Sequence, residues 1–202
     1  MDIMLYLEQR YKLPLYLPDK EEMTKEEFFE FCAANKHLRI ERDEQNQIFI
    51  MAPVTGETGT NHIDIAFAIE YWNRQTKLGK TFDSSTGFEL PDGSMRSPDA
   101  SWIKIERWDN LSTAEKNAFL PFAPDFLVEV MSPSDNFLPA QAKMNKWIQN
   151  GTQLGWLIDS KKQVTFIYRA DGTVDKVEGF DKKLSGEDVL PGFEFDLSVL
   201  SN

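Results

Sequence analysis

Hydrophobic residues recur along much of this chain with the spacing of an amphipathic helix. The clearest stripe runs through 61–77, where Ile65, Ile69 and Trp72 share one side, and Gly79 beyond it is the predicted stop. Near the start of the chain, a Thr-x-x-Glu capping-box pattern precedes a phenylalanine-rich segment. The pattern predicts four helices, at 24–35, 61–77, 111–119 and 139–150.

Other segments are shorter, apolar or alternating, and bounded by turn residues, which is typical of strands. A polar turn separates 38–41 from 48–51 and predicts a hairpin, and a Pro-Asp-Gly turn at 91–93 separates 82–90 from 97–105. The predicted strands are 38–41, 48–51, 82–90, 97–105, 126–131, 154–158 and 164–168, followed by short strands in the tail. Helices and strands in this order predict an α/β (α+β) fold with a central sheet covered by helices.

The chain has 202 residues, of which 41% are hydrophobic, enough for one well-filled domain. We predict a single domain over 1–202, with an N-terminal extension (1–55, beginning with an arm at 1–22), a core (60–170) and C-terminal strands (171–202). One cysteine, Cys32, excludes an internal disulfide and favours a cytoplasmic location. No signal peptide or membrane-spanning run is expected, and two histidines argue against structural zinc.

The formal net charge is −11, with a pI of about 4.7. Such an acidic chain has little general attraction for nucleic acid, since phosphate binding depends on lysine and arginine. A local basic groove remains compatible with this charge. So does a group of carboxylates around a divalent cation.

Two carboxylates stand out because of where the predicted strands place them. Glu129 interrupts the apolar run 126–131, and burying a charge there is costly unless a metal ion or another charge pairs with it. A metal site and a buried ion pair explain Glu129 equally well. Asp99 lies at the entry to the preceding strand, where a Pro-Asp pair often serves only as a turn. Brought together, the two acids would outline a site for a hard cation.

A lysine that reaches these acids must come from the next helix, because Met131 occupies the strand position two residues after Glu129. Lys143 shares the side of that helix that carries its tryptophan and should face the sheet, whereas Lys146 lies on a more polar side. Alone, Lys143 has the pattern of a solvated helix lysine. Lys143 is a candidate site residue only in combination with Asp99 and Glu129.

Short motifs spread over nearly the whole chain resemble one known family. They are Met-Ala-Pro-Val-Thr-Gly (51–56), Ser-Thr-Gly-Phe (85–88), Leu-Pro-Asp-Gly (90–93), Ser-Pro-Asp-Ala-Ser-Trp (97–102), Pro-Asp-Phe-Leu-Val-Glu-Val (124–130), Ser-Pro-Ser-Asp (132–135), Lys-Met (143–144), Asn-Gly (150–151), Leu-Gly-Trp-Leu-Ile-Asp (154–159) and Leu-Ser-Gly-Glu-Asp-Val-Leu-Pro-Gly-Phe (184–193). Together they resemble the Uma2 family, restriction-endonuclease-like proteins abundant in cyanobacteria and assigned to the PD-(D/E)XK nuclease superfamily.

The resemblance implies a restriction-endonuclease-like core with the order α-β-β-β-α-β and a mixed central sheet. It implies that Asp99 and Glu129 hold Mg²⁺, with Mn²⁺ as a substitute, and that Lys143 takes the lysine role displaced from the position of Met131. The implied activity is endonucleolytic hydrolysis of DNA phosphodiester bonds. Glu57 and His62 are possible supporting residues near the first core helix, His62 as a general base.

Three hypotheses about the function stay open at this point. The leading one is a metal-dependent endonuclease, with a homodimer expected if both strands are cut. The second is a catalytically degenerate nuclease fold that binds nucleic acid or protein, favoured by Met131 and by the net charge of −11. The third is a glycosidase using two carboxylates, for which no sugar-binding aromatic cleft is evident.

Overall fold

A computed structural model describes residues 23–201 of the chain. The predicted N-terminal arm at 1–22 lies outside these residues. The helices are α1 (Lys25–Ala34), α2 (Gly56–Thr76), α3 (Ile105–Asp109), α4 (Thr113–Lys116), α5 (Phe137–Gln149) and a final 3-10 turn (Leu197–Leu200). The strands are β1 (Arg39–Arg42), β2 (Ile48–Met51), β3 (Gly79–Phe82), β4 (Phe88–Glu89), β5 (Met95–Arg96), β6 (Ala100–Lys104), β7 (Phe126–Met131), β8 (Leu154–Asp159), β9 (Val164–Arg169), β10 (Val174–Glu178), β11 (Lys183–Ser185) and β12 (Glu194–Asp196).

The centre of the fold is a six-stranded mixed sheet with the strand order β10-β9-β8-β7-β6-β3. The pair β7–β8 is parallel and is connected through α5, while the other pairs in this sheet are antiparallel. A second sheet has the order β2-β1-β5-β4, and β11 pairs with β12. Helices and strands therefore form the mixed α/β arrangement that the sequence pattern predicts.

Strand β7 is buried along its whole length and has a core on each face. Phe126, Val128 and Val130 pack in the core that contains the apolar stripe of α2 and the C-terminal strands. Leu127 and Met131 point the other way, into the core formed with α5. Because side chains alternate along a strand, Glu129 also points toward α5.

A third, smaller core supports the β1–β2 hairpin. It contains Phe28 and Phe31 of α1 together with Ile40 of β1 and Met95 of β5. The capping box predicted at the start of α1 is present and fixes where this helix begins. This core fixes the position of β1, which borders the site described below.

Several predictions about local structure are confirmed, including the hairpin, the stripe on α2 and the bounds of β7. The prediction that Gly79 stops the helix is wrong. The helix ends at Thr76, the C-cap residue Lys77 adopts the left-handed conformation, and Gly79 lies in β3. A side chain cannot fit there, because a Cβ on Gly79 would lie 2.0 Å from the carbonyl oxygen of Ile103.

Two further predictions need correction. The segment 82–90 is not one strand, because Asp83 Oδ1 accepts hydrogen bonds from Ser85 and Thr86 and forms a turn between β3 and β4. The strand predicted at 97–105 is shorter than expected. It comprises β6 alone, and α3 begins at the residue directly after it. No helix among residues 23–201 is long and apolar enough to cross a membrane.

Candidate active site

A cleft of about 520 Å³ lies between the β1–β2 hairpin, the start of α2, the end of β7 and the first turns of α5. Its polar lining includes Glu41, His62, Asp99, Glu129 and Lys143. Its apolar lining includes Phe49, Met51, Val54, Met131, Pro139, Ala140 and Leu157. The cleft thus combines a charged region with an apolar wall.

Glu129 is held from the α5 side by two donors. The indole Nε1 of Trp147 donates a hydrogen bond of 2.9 Å to Glu129 Oε1, and Lys143 Nζ lies 2.9 Å from the same oxygen. Lys143 and Trp147 are four residues apart, so both project from one side of α5. Within the described residues, Glu129 Oε2 has no hydrogen-bond partner and is left for another ligand.

Asp99 is fixed by the backbone of the neighbouring strand. Its amide donates to the carbonyl of Val128, and its Oδ2 accepts a 2.8 Å hydrogen bond from the amide of Val130. These bonds place Asp99 beside β7 at the level of Glu129. In the described part of the chain, Asp99 Oδ1 has no hydrogen-bond partner.

His62 comes to the same place from α2. Its Nε2 lies 3.4 Å from Asp99 Oδ2. This nitrogen is buried and, within residues 23–201, has no hydrogen-bond partner. A buried nitrogen without a partner is unusual and points to a ligand or water that completes the site.

The charges in the cleft are not balanced. Burial raises the pKa of Glu129 to about 7, and the carboxylates of Asp99 and Glu41 add to this effect against the attraction of Lys143. Burial alone would lower the pKa of Lys143, but the same three carboxylates outweigh it and raise the pKa. Three acids therefore lie around the Lys143 ammonium, and Arg96 reaches Glu41, so the region around Asp99 and Glu129 favours one more positive charge.

Sequence comparison identifies the family. Residues 25–199 match the Uma2 family, described as "Putative restriction endonuclease". The chain belongs to the Uma2 family. A crystal structure of "a putative nuclease belonging to DUF820" from Anabaena variabilis has a similar fold, with a TM-score of 0.72 and 19% sequence identity. The match covers 89% of this chain and 98% of that one. A search of curated proteins finds no significant match.

The fold of this Uma2 family member brings four of the predicted site residues together: Asp99, Glu129, Lys143 and His62. Glu57 is not among them. It is exposed in the first turn of α2 and does not line the cleft. Glu57 and His62 are five positions apart, which places their side chains roughly 140° apart around the helix.

Glu41 is a site residue that the sequence analysis missed. It is only 5% exposed, and its Oε1 lies 3.2 Å from Lys143 Nζ and accepts a hydrogen bond from the amide of Ser97. Arg96 lies 3.7 Å from its other carboxylate oxygen. These partners are distant in sequence, so the segment around Glu41 carries no signal of its burial.

The side chains fit a hard divalent cation bound mainly through water. No group of three or more His, Cys, Asp and Glu residues within 23–201 is arranged to enclose a metal ion. Asp99 and Glu129 nevertheless each present a carboxylate oxygen without a partner, and the cleft carries excess negative charge. One or two carboxylates plus several waters is how Mg²⁺ is commonly held in proteins.

Proposed function

We propose that this Uma2 family member is an endonuclease that hydrolyses phosphodiester bonds in DNA with Mg²⁺, or with Mn²⁺ in its place. The observation that supports this most strongly is the convergence of Asp99, Glu129 and Lys143 in one cleft. The order α2-β3-β6-β7-α5-β8 also agrees with the α-β-β-β-α-β core of the PD-(D/E)XK superfamily.

Asp99 and Glu129 would hold the cation through their partner-free oxygens. The bound cation would polarise the scissile phosphate and lower the pKa of a coordinated water. Lys143 keeps its charge near neutral pH and would stabilise negative charge developing on the phosphate. His62 Nε2 is placed beside Asp99 where it could accept a proton from the attacking water.

The test is a cleavage assay on supercoiled plasmid and on linear DNA with Mg²⁺ or Mn²⁺. Asp99→Asn and Glu129→Gln should abolish cleavage, because each removes one charged ligand and keeps the side-chain shape. Glu57→Gln is the matched control and should cleave like wild type, since Glu57 lies outside the cleft. Equal inactivity of wild type and variants on all substrates would argue against the proposal.

A second candidate is a catalytically degenerate nuclease fold that binds nucleic acid or protein. The observation that favours it is Met131, which is 7% exposed and packed in the core where the superfamily pattern has a lysine. Lys143 is also engaged by two carboxylates already. DNA binding that is independent of divalent cations, without cleavage, would support this reading.

We also propose a homodimer in which each cleft receives and cuts one strand, because one cleft contains one set of reacting groups. Light scattering at micromolar concentration would test this. A monomer that only nicks supercoiled DNA would contradict the dimer and leave the hydrolytic site intact.

A further inference from the structure

Strand β2 has an unusual surface. It is the edge strand of its sheet, and its four residues, Ile48, Phe49, Ile50 and Met51, are all apolar and 36–49% exposed. Proteins usually protect edge strands with charges or prolines, because exposed apolar edges promote association. An apolar edge strand that carries no charge or proline of its own, beside a cleft, therefore calls for a functional explanation.

The register of the hairpin divides this strand into two faces. Phe49 lies opposite Glu41, which contacts Lys143, and Met51 lies opposite Arg39. Residues directly opposite in an antiparallel pair share a face of the sheet. Phe49 and Met51 accordingly line the cleft, while Ile50 lies on the other face, opposite Ile40.

The reacting groups lie deep in the cleft. The side chains of Glu129, His62, Asp99 and Lys143 are only 12–20% exposed. A phosphate on the outside of an intact duplex is attached to a stiff rod and cannot enter such a recess without distortion of the DNA. A flexible single strand can bend its backbone into the cleft.

The charges of the cleft also disfavour a long duplex contact. Among residues 23–201, three cationic side chains line it, and each already has partners: Arg39 donates to the carbonyl of Ser84, Arg96 lies beside Glu41, and Lys143 lies beside Glu129. Duplex binding relies on several free lysines and arginines along the phosphates. This cleft instead offers one anion position at the proposed cation and an apolar wall next to it.

We infer that the cleft receives single-stranded nucleic acid, with the scissile phosphate at Asp99 and Glu129 and a neighbouring base stacked on Phe49. This inference rests on the proposed nuclease function. Stacking on an aromatic ring suits the chemistry of the wall, because every base has an apolar face, and such contacts tolerate different sequences. Met51 and Val54 extend the apolar surface around the base.

Fluorescence anisotropy tests the inference, with a short labelled DNA strand and the same sequence as a duplex. Ca²⁺ replaces Mg²⁺, and a gel confirms that the DNA stays intact. The single strand should bind at least about tenfold more tightly than the duplex, and Phe49→Ala should weaken single-strand binding about tenfold. Phe49→Trp should retain it. Ile50→Ala is the matched control on the opposite face of β2 and should change nothing.

Preference for the duplex, or equal effects of Phe49→Ala and Ile50→Ala, would overturn the inference. Similar binding of a single-stranded RNA would support stacking, because the base faces are the same. The experiments distinguish a failure of the single-strand inference from a failure of the proposed nuclease function. Metal-dependent cleavage that prefers duplex DNA would refute the single-strand inference and keep the nuclease, whereas absence of both binding and cleavage would refute both.

Discussion

The excess of negative charge around Lys143 leads to a prediction about stability. Replacing Glu129 by Gln cuts a 2.9 Å ion pair, which would ordinarily be expected to weaken the fold. We expect the opposite near pH 8 in the absence of metal. The pKa of Glu129 is raised to about 7, so the folded protein disfavours the charged carboxylate even with Lys143 beside it. The glutamine of the Glu129→Gln variant would imitate the neutral acid and could still accept the hydrogen bond from Trp147.

The magnitude follows from the shift between the unfolded and folded states. Raising the pKa from 4.5 to about 7 corresponds to roughly 3 kcal/mol. Below about pH 4.5 the acid is protonated in both states, so the variant and the wild type should have equal stability. As the pH rises toward 7, the unfolded state loses its proton first and the wild type loses stability. Above about pH 7 the full difference should be present, as roughly 6–12 °C in Tm.

Urea unfolding in EDTA at about pH 4.5 and about pH 8 measures this difference. Lys143→Met is the matched comparison, because it removes the other partner of the Glu129–Lys143 ion pair. It removes the ammonium and leaves three carboxylates together, so near pH 8 we expect it to lower the free energy of unfolding by about 3 kcal/mol or more. A Glu129→Gln variant that is less stable than wild type at about pH 8 would refute the reasoning, because the ion pair would then outweigh the excess charge.

Two further predictions concern the packing at Gly79 and the position of Lys143. Gly79→Ala should lower the free energy of unfolding by about 3 kcal/mol or more in urea titrations, because its Cβ would lie 2.0 Å from the backbone oxygen of Ile103. Gly59→Ala has free space and lies within α2, so it should be neutral or stabilising by up to about 1 kcal/mol; equal losses would contradict this. Glu41→Gln should reduce kcat about tenfold with little change in KM, because it loosens the position of Lys143 without touching the phosphate. An unchanged kcat would exclude that positioning role.

Local patterns in the sequence were sufficient where the local chain determines the structure. The alternation of β7 places Glu129 on the α5 side, and helix spacing places Lys143 on the inner side of α5, as the sequence predicts. Both side chains therefore meet. Their catalytic roles remain predictions.

Local patterns failed where the decisive contacts are distant in the chain. Gly79 resembles a helix stop, yet its role is to let β3 approach Trp102 and Ile103 of β6. Glu41 resembles an ordinary strand carboxylate until the fold brings it to Lys143, 102 residues away. Such contacts depend on how the sheets are arranged, which residue spacing does not specify.

The most direct test of the proposed site is a crystal soaked in Mn²⁺ and measured at a wavelength where manganese scatters anomalously. The account predicts one anomalous peak within coordination distance of both Asp99 and Glu129, and its loss in Asp99→Asn crystals treated in the same way. The absence of a peak in wild-type crystals, or a peak that persists in Asp99→Asn, would contradict the account.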